Sequence, residues 1–144
     1  MQFAKSTDYA LHALVHLANS ECENKIGIKE LADMLDVSES YLSKIMTQLR
    51  KDGIVKAVPG VKGGYKLARS ADEITFLDVI LSTEGRQQMF NCSNSDSRQH
   101  TKMDKVENQS VCKIKEVMDN AEGVLHEFLE NQTIQSILEK AHKN

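Results

Sequence analysis

Along the first half of the chain, apolar residues recur every three or four positions. Tyr9, Ala10, Ala13, Leu14 and Leu17, widened by Leu11, Val15 and Ala18, form one broad face and predict a helix over 6–19. A polar loop over 19–25 precedes a shorter helix, 28–35, with Ile28, Leu31, Ala32 and Leu35 turned inward. Asp36-Val37 turns the chain, and Ser38 is placed to cap a third helix over 39–52 that buries Leu42, Ile45, Met46 and Leu49. Gly53 suits its left-handed stop. The period then shortens: 54–58 is β-branched, 65–69 alternates polar and apolar, and the glycine-rich turn 59–64 between them predicts a hairpin. Thr75, with Asp78 three residues on, caps a helix running to Glu84 and ended by Gly85.

Between 86 and 110 the composition shifts to Gln, Asn, Ser and charge, the mark of a long loop. A long helix follows over 111–130, with Ile114, Val117, Met118, Ala121, Leu125, Phe128 and Leu129 on one stripe, and Thr133 starts a last short helix holding Ile134, Ile137 and Leu138. The elements give a mainly α fold with a small β-hairpin wing: a winged helix–turn–helix over 1–85, a loop segment over 86–110, and a long helix with a closing helix over 111–144. The stripe on the long helix is more than a small N-terminal domain needs, so it reads as a subunit interface for a homodimer; packing back on its own domain is the alternative.

With 144 residues, 40% hydrophobic and 27% charged, the chain can bury a core, and its apolar runs are too short to span a bilayer. The N-terminus lacks the layout of a secretory signal, which makes the cytoplasm the expected compartment and leaves no membrane partner. Three cysteines, Cys22, Cys92 and Cys112, are too few and too odd for a disulfide framework. Nucleophile elbows, phosphate-binding glycine loops and metalloprotease motifs are all missing, so an enzyme is not expected.

The net charge of −3 is uneven: residues 38–69 carry seven Lys and Arg against two acids. A basic segment in an acidic chain suggests an anionic partner, and the helix–turn–helix gives that partner a shape, since B-DNA's major groove admits one helix. The outward positions of the third helix are Ser40, Tyr41, Ser43, Lys44, Thr47 and Gln48, with Ser38 at the turn; the wing adds Lys62 and Lys66 toward phosphates or the minor groove, and Gly60, Gly63 and Gly64 for close backbone approach. These are the candidate contacts to double-stranded operator DNA. A protein-binding winged helix is the competing reading, and Tyr41 fits packing as well as base contact.

Asp8-Tyr9-Ala10-Leu11, Val37-Ser38-Glu39-Ser40-Tyr41-Leu42, Leu49-Arg50-Lys51-Asp52-Gly53-Ile54-Val55, Gly63-Gly64-Tyr65, Ile74-Thr75-Phe76-Leu77-Asp78-Val79 and Thr133-Ile134-Gln135-Ser136-Ile137-Leu138 together resemble the Rrf-type family of regulators (IscR, NsrR, CymR, RsrR) over nearly the whole chain. The resemblance implies a homodimeric transcription factor, usually a repressor, whose long helices cross in the dimer and which in many members senses redox state or nitric oxide through an iron–sulfur cluster. Pro59 stands where many members start the wing turn with arginine, and Lys62 is the substitute.

Asp8 and His12 are i,i+4 neighbours, a spacing that lets two helical side chains chelate one metal. The family's usual third, middle cysteine is absent, and Lys115 occupies the place of a histidine ligand in some members. The chain is most similar to the family's two-cysteine branch, which implies a [2Fe–2S] cluster shared across the dimer: Cys92 and Cys112 on one iron, Asp8 and His12 of the partner subunit on the other. That branch carries glutamate where this chain has Asp8. The competing readings are a thiol–disulfide switch of Cys92 and Cys112, or no sensor, with His12 satisfied by a carbonyl and Asp8 favoured by the helix dipole. Cys22, between two glutamates, reads as a bystander, His16 as a neighbour of the metal pair, His100 as a spare ligand and His126 as interfacial or exposed.

Overall fold

The computed structural model describes residues 1–20, 25–92 and 112–143. Cys22, His100 and most of the loop read over 86–110 lie outside them. Among the described residues there are six helices, α1 Lys5–Ala18, α2 Ile28–Leu35, α3 Glu39–Lys51, α4 Phe76–Glu84, α5 Lys113–Glu130 and α6 Ile134–His142, and three strands, β1 Lys25–Ile26, β2 Val55–Val58 and β3 Gly64–Leu67. No helix among these residues is long and apolar enough to cross a membrane.

The chain forms two compact units, residues 1–86 with 129–144, and residues 87–128. In the first, α1 supplies the centre of the core. Ala10, Ala13, Leu14 and Leu17 have no exposed surface, and they meet Leu31, Leu42, Met46, Leu49, Ile74, Val79 and Ile134, all equally buried. Small alanines beside leucines allow α2, α3, α4 and α6 to pack closely on one helix. The closing helix belongs to this unit because Ile134 and Leu129 bury there. Thr75 and Thr133 form a bridge between chain segments, and each opens its helix with a capping box, so α4 and α6 start side by side. The Ile134 amide donates to the Ile74 carbonyl at 3.0 Å and the Phe76 amide to that of Gln132 at 2.8 Å, which locks the two starts together.

The hairpin is one strand larger than its sequence pattern. β1 adds to it, in the order β1-β3-β2, all antiparallel, with Ile26 opposite Tyr65 and Ala57 opposite Tyr65 on the other side. Two residues are too few to display a period, which is why β1 reads as loop. Gly64 is what admits it: a Cβ there would lie 2.3 Å from the Ile26 carbonyl oxygen, and one on Gly63 would lie 2.1 Å from that of Val58. These two glycines therefore serve contacts inside the sheet rather than approach to a ligand. Gly60, at φ +107°, is the wing residue whose conformation itself requires glycine.

Gly64→Ala must displace backbone, so it is expected to cost about 1–3 kcal/mol of stability. Urea unfolding followed by circular dichroism measures this, and an unchanged midpoint would mean that β1 does not pair at Gly64.

Candidate nucleic-acid interface and metal-binding residues

The turn between α2 and α3 is built from local chemistry. Asp36 takes a left-handed conformation at φ 55°, and its amide closes the end of α2 on the Ala32 and Asp33 carbonyls. Aspartate tolerates that region better than most residues. Ser38 then caps α3: its Oγ accepts the Tyr41 amide at 3.2 Å. Leu42, Ile45, Met46 and Leu49 bury as their spacing predicts, leaving Ser43, Lys44, Thr47, Gln48 and Lys51 around a shallow open depression on the outer side of α3.

Several of the candidate reading side chains are already engaged. Tyr41 is stacked edge to face on Tyr9 of α1, ring centroids 5.8 Å apart, so packing holds its ring. Thr47 donates its hydroxyl to the Ser43 carbonyl at 2.7 Å. Gln48 donates to the Asp52 carboxylate at 3.1 Å. The Ser82 hydroxyl first, then the Gln48 amide and the charge of Arg86, hold the Asp52 carboxyl below the ordinary carboxylate range. Ser40 and Lys44 stand exposed on the first turns of α3, and Lys62 stands on the wing beside a fully exposed Val61. Lys66 lies within β3, away from the turn.

Asp8 and His12 are brought together on the exposed side of α1. His12 Nδ1 lies 3.0 Å from Asp8 Oδ1 and 2.9 Å from the Asp8 carbonyl oxygen. Both neighbours only accept, so Nδ1 is the donor, and in the neutral tautomer that this contact selects the lone pair is on Nε2. The start of α1 has no capping side chain of its own. Glu84, at the end of α4, supplies one: its Oε1 accepts the Ala4 amide at 2.6 Å and the hydroxyl of buried Thr7 at 2.7 Å. Sequence spacing could not find this clasp, because its partners lie 77 to 80 residues apart.

Cys92 and Cys112 both fall in the second compact unit and are half-buried. Cys112 immediately precedes α5, and its Sγ accepts the Lys115 amide at 3.4 Å. Lys115 itself pairs with Asp119. Glu122 accepts the Met89 amide at 3.2 Å, which holds the segment leading to Cys92 against α5, and its other oxygen faces His126 at 3.6 Å. Among the described residues, nowhere do three His, Cys, Asp or Glu side chains come together as a group that could hold a metal ion. Along α5, Ile114, Val117, Met118, Val124 and Phe128 are exposed, whereas Leu129 buries in the first unit. Val124 is a member of that surface that the sequence stripe left out.

Residues 3–140 match the family model described as Rrf2, iron-dependent transcriptional regulator. The chain belongs to the Rrf2 family. Its members regulate transcription and are not enzymes. The NsrR regulator of Bacillus licheniformis is 28% identical over 96% of this chain and 92% of its own length. Among solved structures, the IscR of T. potens superposes with a TM-score of 0.72 at 25% identity, over 98% of this chain and 88% of that one. CymR, the global cysteine regulator of B. subtilis, superposes with a TM-score of 0.73 at 24% identity over 95% of both chains, and so shares the Rrf2 winged-helix fold.

Ser38→Ala removes the α3 cap and is expected to cost about 1 kcal/mol of stability. Thermal unfolding without DNA measures it, and an unchanged melting temperature would contradict the capping role.

Proposed function

We propose that this Rrf2 regulator is a homodimeric, DNA-binding repressor whose operator affinity responds to a [2Fe–2S] cluster held between subunits. Cys92 and Cys112 would hold one iron, and Asp8 and His12 of the partner subunit the other. The reading is carried by the Asp8–His12 pair. Two donors stand side by side on an exposed helix face with the imidazole Nε2 available and one carboxylate oxygen beyond the Nδ1 contact.

The donor set fits the group. A carbonyl or carboxylate on the far nitrogen of a ligating histidine is the usual way to fix its tautomer and ring. Cys112 has an amide aimed at its sulfur at the start of a helix, where negative charge is favoured. The exposed apolar residues of α5 supply the surface on which the second copy packs. When bound, such a cluster supplies a one-electron couple at a potential raised by histidine in place of thiolate.

The chain's own residues connect this site to DNA. Tyr9, beside Asp8, stacks on Tyr41 of α3, so the helix that bears the metal ligands touches the recognition helix directly. Ser40 and Lys44 face outward to read base edges and phosphates, with Ser38, Thr47 and Gln48 sharing that helix, and Lys62 and Lys66 extend the contact through the wing. The half-sites of a palindromic operator would sit about 34–36 Å apart to match the two-fold dimer.

A second reading uses Cys92 and Cys112 as a thiol–disulfide switch, and the amide on Cys112 Sγ also favours it, since it stabilises a reactive thiolate. Anaerobic purification separates the two. The cluster reading expects visible absorbance with about one [2Fe–2S] per chain, lost in a folded His12→Ala variant. Wild-type protein that stays colourless and iron-free after anaerobic reconstitution with iron and sulfide contradicts it.

A further inference from the structure

The three strands of the wing sheet align lysines. Lys66 of β3 is directly opposite Lys25 of β1 on one side and Lys56 of β2 on the other. Directly opposed residues point to the same face with Cβ atoms about 4.5–5.5 Å apart, and like charges so placed repel. Ile26, Val55, Tyr65 and Leu67, at the alternate positions, face the core. The lysine row is therefore on the outer face. Among the described residues no carboxylate makes an ion pair with Lys56 or Lys66. Arg69, just beyond β3, has only a long contact of 3.5 Å with Asp78 and another of 3.5 Å with the Glu73 carbonyl.

Lys56, Lys66 and Arg69 line a half-open groove of about 420 Å³, together with residues from the end of α1 and from the segment that follows β3. These three side chains give it positive charge and Ser70 a hydroxyl, and Leu67, Ala18 and Ala71 give it apolar lining above buried Leu17. It shares no residue with the depression along α3, which Ser43, Lys44, Thr47, Gln48 and Lys51 line. Solvated surface lysines ordinarily spread apart or pair with acids. Here Lys56 and Lys66 line one concavity without such partners, beside Arg69, which also faces Asp78.

We propose that this groove binds a phosphate ester. Two ammonium groups and a guanidinium match the several anionic oxygens of one phosphate, Ser70 adds a hydroxyl donor, and the apolar lining takes the organic part. Bound anion also relieves the repulsion between Lys56 and Lys66. The phosphate can come from DNA flanking the operator or from a free phosphorylated molecule. The first source rests on the DNA-binding reading above; the second does not.

The test compares wild type, Lys56→Gln/Lys66→Gln, and Lys29→Gln as a control on exposed α2, each first checked for an unchanged fold by circular dichroism. Inorganic pyrophosphate is titrated by calorimetry at low salt, and a duplex of arbitrary sequence by fluorescence anisotropy over a range of salt. A free-ligand site gives pyrophosphate binding that falls at least tenfold in the double variant and is unchanged in Lys29→Gln. A DNA-backbone site gives no pyrophosphate binding, but a slope of log K against log salt that drops by about two units in the double variant. Variants indistinguishable from wild type in both titrations overturn the proposal. If wild type fails to bind any duplex while the pyrophosphate result holds, the DNA-binding reading falls and the groove stands.

Discussion

Burial of one face of α1 is the constraint on which the rest of this molecule depends. Ala10, Ala13, Leu14 and Leu17 are completely enclosed, and α2, α3, α4 and α6 all pack on that helix. Truncating one of its leucines would cost about 2–5 kcal/mol, a large share of the stability of a domain this size. Because its inner face is committed, the rotation of α1 about its axis is set. That rotation puts Asp8 and His12 outside, Thr7 inside against Thr83 and Glu84, and Tyr9 against Tyr41. One amphipathic helix thus serves as core, as bearer of the proposed metal ligands and as support for the helix proposed to read DNA.

Much of this was legible in the sequence because it is local. The helix–turn–helix follows from Leu42, Ile45, Met46 and Leu49 at helical spacing behind a capping serine, and the Thr75–Asp78 capping box is found where its spacing places it. The Asp8–His12 contact is likewise an i,i+4 relation. What escaped is what distance in sequence hides. β1 is too short to carry a period, and the Glu84 clasp joins opposite ends of the first unit. The lysine row exists only once the register of three strands is known, so Lys56 and Arg69 had no reason to stand out from other basic residues. Side chains read as free to contact DNA had local occupations invisible to spacing: Gln48 bonds Asp52, and Thr47 bonds its own helix.

The chemistry divides between the two compact units. The first has an imidazole and a carboxylate on a rigid helix; the second has two cysteines, one at the head of α5 and one on a segment tied to α5 through Glu122. Among the described residues neither half gathers three such donors. The proposed pairing of a half from each subunit makes cluster assembly and dimer geometry a single event, and dimer geometry is what sets the spacing of two recognition helices on DNA. A thiol switch between Cys92 and Cys112 would instead lie within one chain and leave Asp8 and His12 without a part.

Complementation between two inactive variants tests the shared site most directly. A Cys92→Ser chain and a His12→Ala chain each form homodimers with no intact set of four donors. Co-expressed anaerobically, they form mixed dimers in which one of the two sites has both cysteines from one chain and Asp8 and His12 from the other. The account predicts that the mixed dimer regains visible absorbance and iron, at about half the wild-type content per dimer. Mixed dimers as colourless as their parents, beside a coloured wild type, would contradict ligation across the subunits.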